Sequence, residues 1–263
     1  MGALVNLKRF SGMLPPPVGF LPLIVLLVVW QGIAPQESPS FPPPSAWWSA
    51  IHGLMADGSL GPAVAATLKN FAAGLALACV IGFALGLLIG VMAGVRRWTG
   101  MLLEYLRALP PPVVIPIAIL MLGFSPSMQI GVIAFTTAWP ILLNTVSGVA
   151  AIRGLLLDVG RSLRMPWGVR MVKIVIPATL PSFLLGVRVA VSLAIVVTLL
   201  VEMFTGMPGI GLLMVSGQRN YNSAQVFGLL AVVGLLAFCL TLCFSLAEGV
   251  VLSRWPPRRG MGR

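Results

Sequence analysis

Four stretches of this chain contain no Asp, Glu, Lys or Arg over membrane-crossing lengths: 10–36, 70–95, 108–152 and 220–247, with a shorter one at 189–201 between Arg188 and Glu202. A helix needs about 20 mainly apolar residues to cross a bilayer. Any segment in lipid must also satisfy its own backbone polar groups, so these stretches must be helices. The interval 108–152 is too long for one crossing, and Gly123-Phe124-Ser125-Pro126-Ser127 divides it with turn chemistry. The pattern predicts an all-α integral membrane protein with six transmembrane helices, at 18–34, 67–94, 101–122, 128–149, 180–204 and 226–253. With 58% hydrophobic and only 9% charged residues, against about 25% charged in soluble domains, a water-soluble globule is excluded.

The charges orient the spans. Lys8 and Arg9 precede the first, Arg96, Arg97 and Arg107 surround the second connection, Arg153, Arg161, Arg164, Arg170 and Lys173 fill the fourth, and Arg254, Arg258, Arg259 and Arg263 follow the sixth. Placing both termini inside leaves only Lys69 and Arg219 near the outer face, a positive-inside bias. The net charge of +11 then follows from orientation, and no nucleic acid is needed as a partner. The expected organisation is a cytoplasmic segment 1–17, a single six-span membrane domain 18–255 and a basic cytoplasmic tail 256–263. Within the domain, 35–63 is an outer interfacial segment carrying Trp47-Trp48, and 150–179 is an inner loop. The first apolar run after a basic start also fits a cleaved signal peptide, but Pro15-Pro16-Pro17 before it and the weak Gly32-Ile33-Ala34 exit favour a retained span.

In the second span Gly74, Ala78, Gly82, Gly86, Gly90 and Gly94 recur every four residues and form one nearly bare helix face. Another helix can approach it closely, either from this chain or from another subunit. Cys79, Cys239 and Cys243 lie in apolar runs, so they read as packing residues, with no metal site expected.

The usual signatures of chemistry are missing. The residues before Lys8, Lys69 and Lys173 are Leu7, Leu68 and Val172, so no phosphate-cradling loop ends in Gly-Lys. With one histidine there is no zinc-protease motif, and the six acidic residues form no compact pair by spacing. The chain reads as a non-enzyme without catalytic residues. If it moves a solute uphill, the energy comes from a partner or an ion gradient.

The inner loop carries more pattern than a linker requires. Leu155, Leu156, Val159 and Leu163 share one helical face, while Arg153, Asp158 and Arg161 lie largely elsewhere. Arg164-Met165-Pro166 interrupts the helix, residues 167–175 resume it, and Pro177 and Pro181 mark the return to the membrane. Such a helix fits a groove in a cytoplasmic partner or the headgroups of anionic lipid.

Asp158-Val159-Gly160, then Arg164, then Ile174-Val175-Ile176-Pro177 resembles, in spacing, the E-A-A-x3-G-x9-I-x-L-P motif of permease subunits of bacterial ABC importers. Arg164 stands where that motif has glycine. A left-handed turn there costs arginine about 1 kcal/mol, so Pro166 is an alternative means of setting the turn. Leu106-Arg107-Ala108-Leu109-Pro110-Pro111 through Ile115-Pro116 to Leu122-Gly123-Phe124 is similar to a segment of the nitrate/sulfonate/taurine branch. So are Pro140-Ile141-Leu142-Leu143-Asn144-Thr145, Thr67-Leu68 with Gly74, and Val201-Glu202-Met203 with Gly209-Ile210-Gly211-Leu212.

The resemblance implies the fold of a type I ABC importer permease in the bacterial inner membrane, with its termini inside. It implies a permease dimer forming the path, with a homodimer favoured over a pair of non-identical permeases. An ATPase subunit dimer below would bind ATP and magnesium, and an extracytoplasmic substrate-binding protein would sit above. The coupling contact would come from Leu155, Asp158, Val159, Gly160, Leu163, Arg164, Ile174 and Pro177. The cargo would be a small anion such as a sulfonate, taurine or nitrate, although related permeases carry pyrimidine precursors, bicarbonate or aromatic acids.

Charged groups inside spans are costly and face protein or water. Glu202 reads either as an interfacial carboxylate or as a path residue, and Arg188 either snorkels inward or meets an anionic solute. Asn144, Thr145 and Thr198 are candidate path lining, although such side chains also bond their own helices. Glu248 would meet the nearby arginines. Two other classes fit the composition: an ion-coupled secondary transporter, which calls for paired intramembrane carboxylates or inverted repeats, and a membrane scaffold without a path.

Overall fold

The computed structural model describes residues 17–35, 38, 40–152 and 154–253. The expected N-terminal segment with Lys8 and Arg9, the loop residue Arg153, and Arg254, Arg258, Arg259 and Arg263 of the tail lie outside the described residues, as does the side chain of Leu155. The chain is helical throughout its described elements. A 3-10 turn, Pro17–Phe20, leads into α1 (Leu21–Ile33), followed by α2 (Pro44–Ala56), α3 (Leu60–Val91), α4 (Ala93–Arg107), α5 (Pro111–Leu122) and α6 (Pro126–Ala150). Then come α7 (Gly154–Ser162), α8 (Trp167–Arg170), a π-helical turn Met171–Val175, α9 (Ile176–Thr205), α10 (Ile210–Arg219) and α11 (Ser223–Ser253).

Four helical runs are long and apolar enough to cross a membrane: Leu60–Val91, Pro126–Ala150, Trp167–Thr205 and Ser223–Ser253. A fifth is available if α4 and α5, bent by 93° at the break between them, make one crossing together. The expected span 101–122 is therefore a broken one, as its prolines Pro110, Pro111, Pro112 and Pro116 lead one to expect. Pro110 is extended with ψ 136°, and the run Pro110-Pro111-Pro112 bars helix continuation through the preceding residues. Before the break, α4 carries Arg96, Arg97, Glu104 and Arg107, the last two paired at 2.9 Å on the surface. The expected first span is a 13-residue helix, about 20 Å long.

The molecule divides into two compact units, residues 65–211 and residues 1–64 with 212–263. The first is built on a seam between α3, α6 and α9. A Cβ on Gly74 would press into the side chain of Ile133, on Gly82 it would lie 2.9 Å from the Ala138 carbonyl oxygen, on Gly86 2.6 Å from Thr145 Cβ, and on Gly90 2.8 Å from Val149 Cβ. Both partner series ascend together, so α3 and α6 run parallel and the chain between them must return along their length. Helix α9 runs the other way: Gly148 is met by Ser182, while Gly186 lies against the backbone of Pro140 and Ile141, each 2.8 Å from a Cβ placed there. Gly94 does not join the seam. Helix α3 ends at Val91, Met92 is extended, and nothing lies within 4 Å of a Cβ at Gly94.

In the other unit, Trp30 stacks on Phe41 and meets Trp47 and Phe227 edge-on, and Trp47 also stacks on Phe227. The Trp47 indole donates to the Pro42 carbonyl at 2.9 Å, while Trp48 is exposed. Helix α2 approaches α11 where Gly228 leaves room: a Cβ there would lie 2.8 Å from Ile51 Cγ1 and 2.9 Å from the Trp47 carbonyl oxygen. The three cysteines are free.

Candidate functional site

Helix α7 ends in a left-handed turn, and Arg164 itself makes it, with φ +49°. Its N–H donates to the Arg161 carbonyl at 2.8 Å, and the Met165 N–H reaches the Gly160 carbonyl at 3.1 Å. That pair of bonds is the Schellman closure, which satisfies carbonyls that a helix end otherwise leaves open. Pro166 does not set the turn. It is extended and opens α8.

The closure folds the segment back so that Gly160, buried, faces Ile174, with 2.9 Å between a Cβ at Gly160 and Ile174 Cδ1 and 3.3 Å to Arg170 Cδ. Two members of the spaced pattern thus touch, which gives the nine-residue interval a physical meaning: it is the chain needed to turn back onto α7. The π-helical turn precedes Pro177, where Ile176 N–H bonds Met171 O. A proline lacks the donor and its ring crowds the carbonyl four residues back, so the widened turn accommodates it. Pro177 and Pro181 consequently lie inside one continuous helical run, Trp167–Thr205, rather than ending it.

The outward side of this segment stays apolar and uncovered. Leu156, Val159, Leu163, Trp167 and Val172 are exposed. Asp158 pairs with Arg161 at 3.2 Å, both well exposed, a pair that contributes little to stability.

The polar residues of the spans are placed differently from one another. Thr145 and Thr198 are fully buried and donate to their own helices, to Ile141 O and Ala194 O, both at 2.7 Å. Asn144 is half-buried and donates to Pro140 O at 2.8 Å. Arg188 is exposed, and Glu248 is buried.

Glu202 is enclosed by its own fold. It is fully buried, and its Oε2 accepts from Thr67 Oγ1 at 3.0 Å and from Gly211 N–H at 2.9 Å. Thr67 Oγ1 accepts in turn from Ile210 N–H at 2.9 Å. The carboxylate and the hydroxyl, brought from α9 and α3, thus satisfy two of the open donors at the start of α10. A side chain at Gly209 would collide with the Glu202 carboxyl group, and a Cβ at Gly211 would lie 2.7 Å from Glu202 Cβ. Three separated segments, Thr67, Glu202 and Gly209-Ile210-Gly211, are therefore one structural latch.

Sequence reasoning singled out those segments without seeing that they meet. It also missed Gln129, which is buried and accepts from Asn70 Nδ2 at 2.7 Å. Among the described residues Gln129 Nε2 and Glu202 Oε1 have no partner. No group of metal-ligating side chains is present among the described residues.

Long apolar helices packed through close glycine seams, with an exposed amphipathic segment at one connection, define an integral membrane protein. Residues 82–255 match the family described as binding-protein-dependent transport system inner membrane component. The nitrate import permease protein NrtB of Leptolyngbya laminosa is 30% identical over 98% of this chain and 92% of its own. The bicarbonate transport system permease protein CmpB of Synechocystis sp. is 31% identical over 87% of this chain and 86% of its own. The fold resembles the crystal structure of an amino acid ABC transporter, with TM-score 0.58 and 17% identity over 78% of this chain and 97% of that one. The chain belongs to the binding-protein-dependent transport system inner membrane component family, the permease subunits of ABC importers. It is a multi-pass inner-membrane protein whose family carries no catalytic activity and binds no cofactor, and its system includes an ATPase and a binding protein.

Proposed function

We propose that this permease carries a small anionic solute, of the sulfonate, taurine or nitrate kind, inward across the membrane. The names of its relatives, nitrate and bicarbonate permeases among them, support an oxyanion or similarly small anion as cargo. Two copies form the path, with Asn144 and Arg188 at its polar surface, Thr145 and Thr198 packed behind it, and Glu202 fixing its frame. Six crossings with both termini inside complete the topology. The broken α4–α5 pair supplies the third. Helix α1 with its 3-10 turn spans about 28 Å by helical rise, close to the ~30 Å hydrocarbon thickness, and supplies the first. The single permease domain then runs from 18 to 255.

The observation that carries the coupling assignment is the exposed apolar edge Leu156, Val159 and Leu163 on a helix whose far side is braced through Gly160 against Ile174. A braced helix with an uncovered apolar edge transmits force as a near-rigid lever. In the assembled importer this edge, with Leu155, Asp158, Arg164 and Pro177 in supporting positions, lies in a cleft of the ATPase, whose ATP-driven closure moves α9 through the continuous run from Trp167.

The experiment is copurification of the ATPase with tagged permease, followed by solute uptake into vesicles containing the binding protein. Leu163→Glu should release the ATPase and abolish ATP-dependent uptake while the permease remains folded. Retention of the ATPase by the Leu163→Glu and Asp158→Arg variants alike overturns the coupling assignment. Uptake that follows an ion gradient without ATP makes the chain a secondary transporter instead.

A further inference from the structure

A hollow of about 310 Å³ lies at the C-terminal ends of α3 and α6, roofed by the α7–α8 segment. Three arginines from three separate elements are among the residues that line it: Arg96 of α4, Arg161 of α7 and Arg170 of α8, beside Trp167, Val149 and Val175. Among the described residues no Asp or Glu lines this hollow. Arg161 shares its charge with Asp158 on the exposed side, while Arg96 and Arg170 have no ion pair among the described residues. The Arg170 stem rests against Gly160, so its position is braced by the same contact that closes α7.

Like charges drawn to one hollow repel one another, and for Arg96 and Arg170 no carboxylate among the lining residues offsets that repulsion. Arginine is the side chain whose planar fork matches the oxygens of phosphate in pairs. A positive-inside bias explains why basic residues occur at this end of the spans, but it needs only their number. It does not need three of them, drawn from separate segments, around a common cavity.

We propose that this hollow binds a phosphate-type oxyanion, and that the bound anion clamps the α7–α8 segment to the ends of α3 and α4. The same chemistry is offered by a free cytosolic oxyanion and by the phosphate of an anionic lipid headgroup. The clamp is independent of the solute carried and needs no ATPase to be observed.

The test is backbone hydrogen exchange over residues 154–175 of the purified full-length permease in nanodiscs. Three conditions are compared: phosphatidylcholine alone, phosphatidylcholine with millimolar inorganic phosphate, and phosphatidylcholine mixed with phosphatidylglycerol. Slower exchange with inorganic phosphate identifies a free anion as the occupant. Slower exchange with phosphatidylglycerol only identifies a lipid headgroup.

In either case Arg96→Ala and Arg170→Ala should each weaken the half-saturating anion dependence about tenfold, the loss expected for one charge-assisted contact. Arg97→Ala removes the same charge one position away, outside the lining, and should leave the dependence unchanged. Arg96 is exposed, so its variant decides the matter even if Arg170→Ala fails to fold. No protection by either anion overturns the proposal, and so does equal loss in the Arg96 and Arg97 variants, which would reduce the effect to surface charge.

Discussion

The seam of α3, α6 and α9 and the α7–α8 segment are joined end to end, yet they handle side chains in opposite ways. Along the seam Gly74, Gly82, Gly86, Gly90, Gly148 and Gly186 allow the close approaches, and the hydroxyls of Thr145 and Thr198 turn back onto their own helices. On α7 the apolar residues stand exposed, and the one strained backbone position is filled by an arginine rather than the glycine that would relax it. The first region uses its residues to close upon itself, whereas the second withholds them from its own fold. A permease needs both: a rigid body to be moved and a surface by which something else can move it.

That contrast is broken most severely at Gly186. A Cβ there would lie 2.8 Å from both Ile141 Cα and the Pro140 carbonyl oxygen, and backbone atoms cannot step aside as a side-chain end can. Gly186→Leu should cost at least the 1–3 kcal/mol typical of overpacking and abolish a monodisperse peak in size-exclusion chromatography. Gly94→Leu, on the same expected series but facing open space, should leave the peak intact. A matching loss at both positions would mean that helix propensity, not the seam, sets the cost.

The latch at Glu202 comes next in size. Glu202→Ala would strand the Thr67 hydroxyl and the Gly211 N–H away from solvent, for about 2–3 kcal/mol. Glu202→Gln keeps one acceptor oxygen and should lose less than half as much, read as the shift in thermal unfolding of the detergent-purified protein. Equal shifts for the two variants would show that charge, rather than acceptance from Gly211 and Thr67, is what the site requires.

These two sites also mark how far the sequence could be read. The helices of the seam were legible because charge-free length and four-residue glycine spacing are properties of one segment at a time. Glu202 was legible as unusual, since a carboxylate inside an apolar run is costly, but its role was not: its partners are 135 residues away in one direction and 9 in the other. The pairing of Asn70 with Gln129 was hidden for the same reason. The α4–α5 break was half visible, because the prolines at 110–112 announce an interruption while the 93° bend depends on what α5 packs against. At Arg164 local chemistry pointed to Pro166, but the two closure bonds at the end of α7 outweigh the intrinsic cost of a left-handed arginine.

Arg164 offers the smallest effect and the sharpest comparison. Its side chain is exposed, so replacing it removes little packing, and Arg164→Gly should relieve a left-handed strain of about 1 kcal/mol, partly offset by the freer unfolded glycine chain. The variant should therefore melt slightly higher than the parent, whereas every substitution along the seam should melt lower. Coupling supplies the second reading. If Arg164 serves only the turn, the glycine variant keeps full ATP-dependent uptake. If the guanidinium also meets the ATPase, uptake falls although stability rises. A lower melting temperature for Arg164→Gly would contradict the Schellman closure itself, and with it the account of how Gly160 is brought against Ile174.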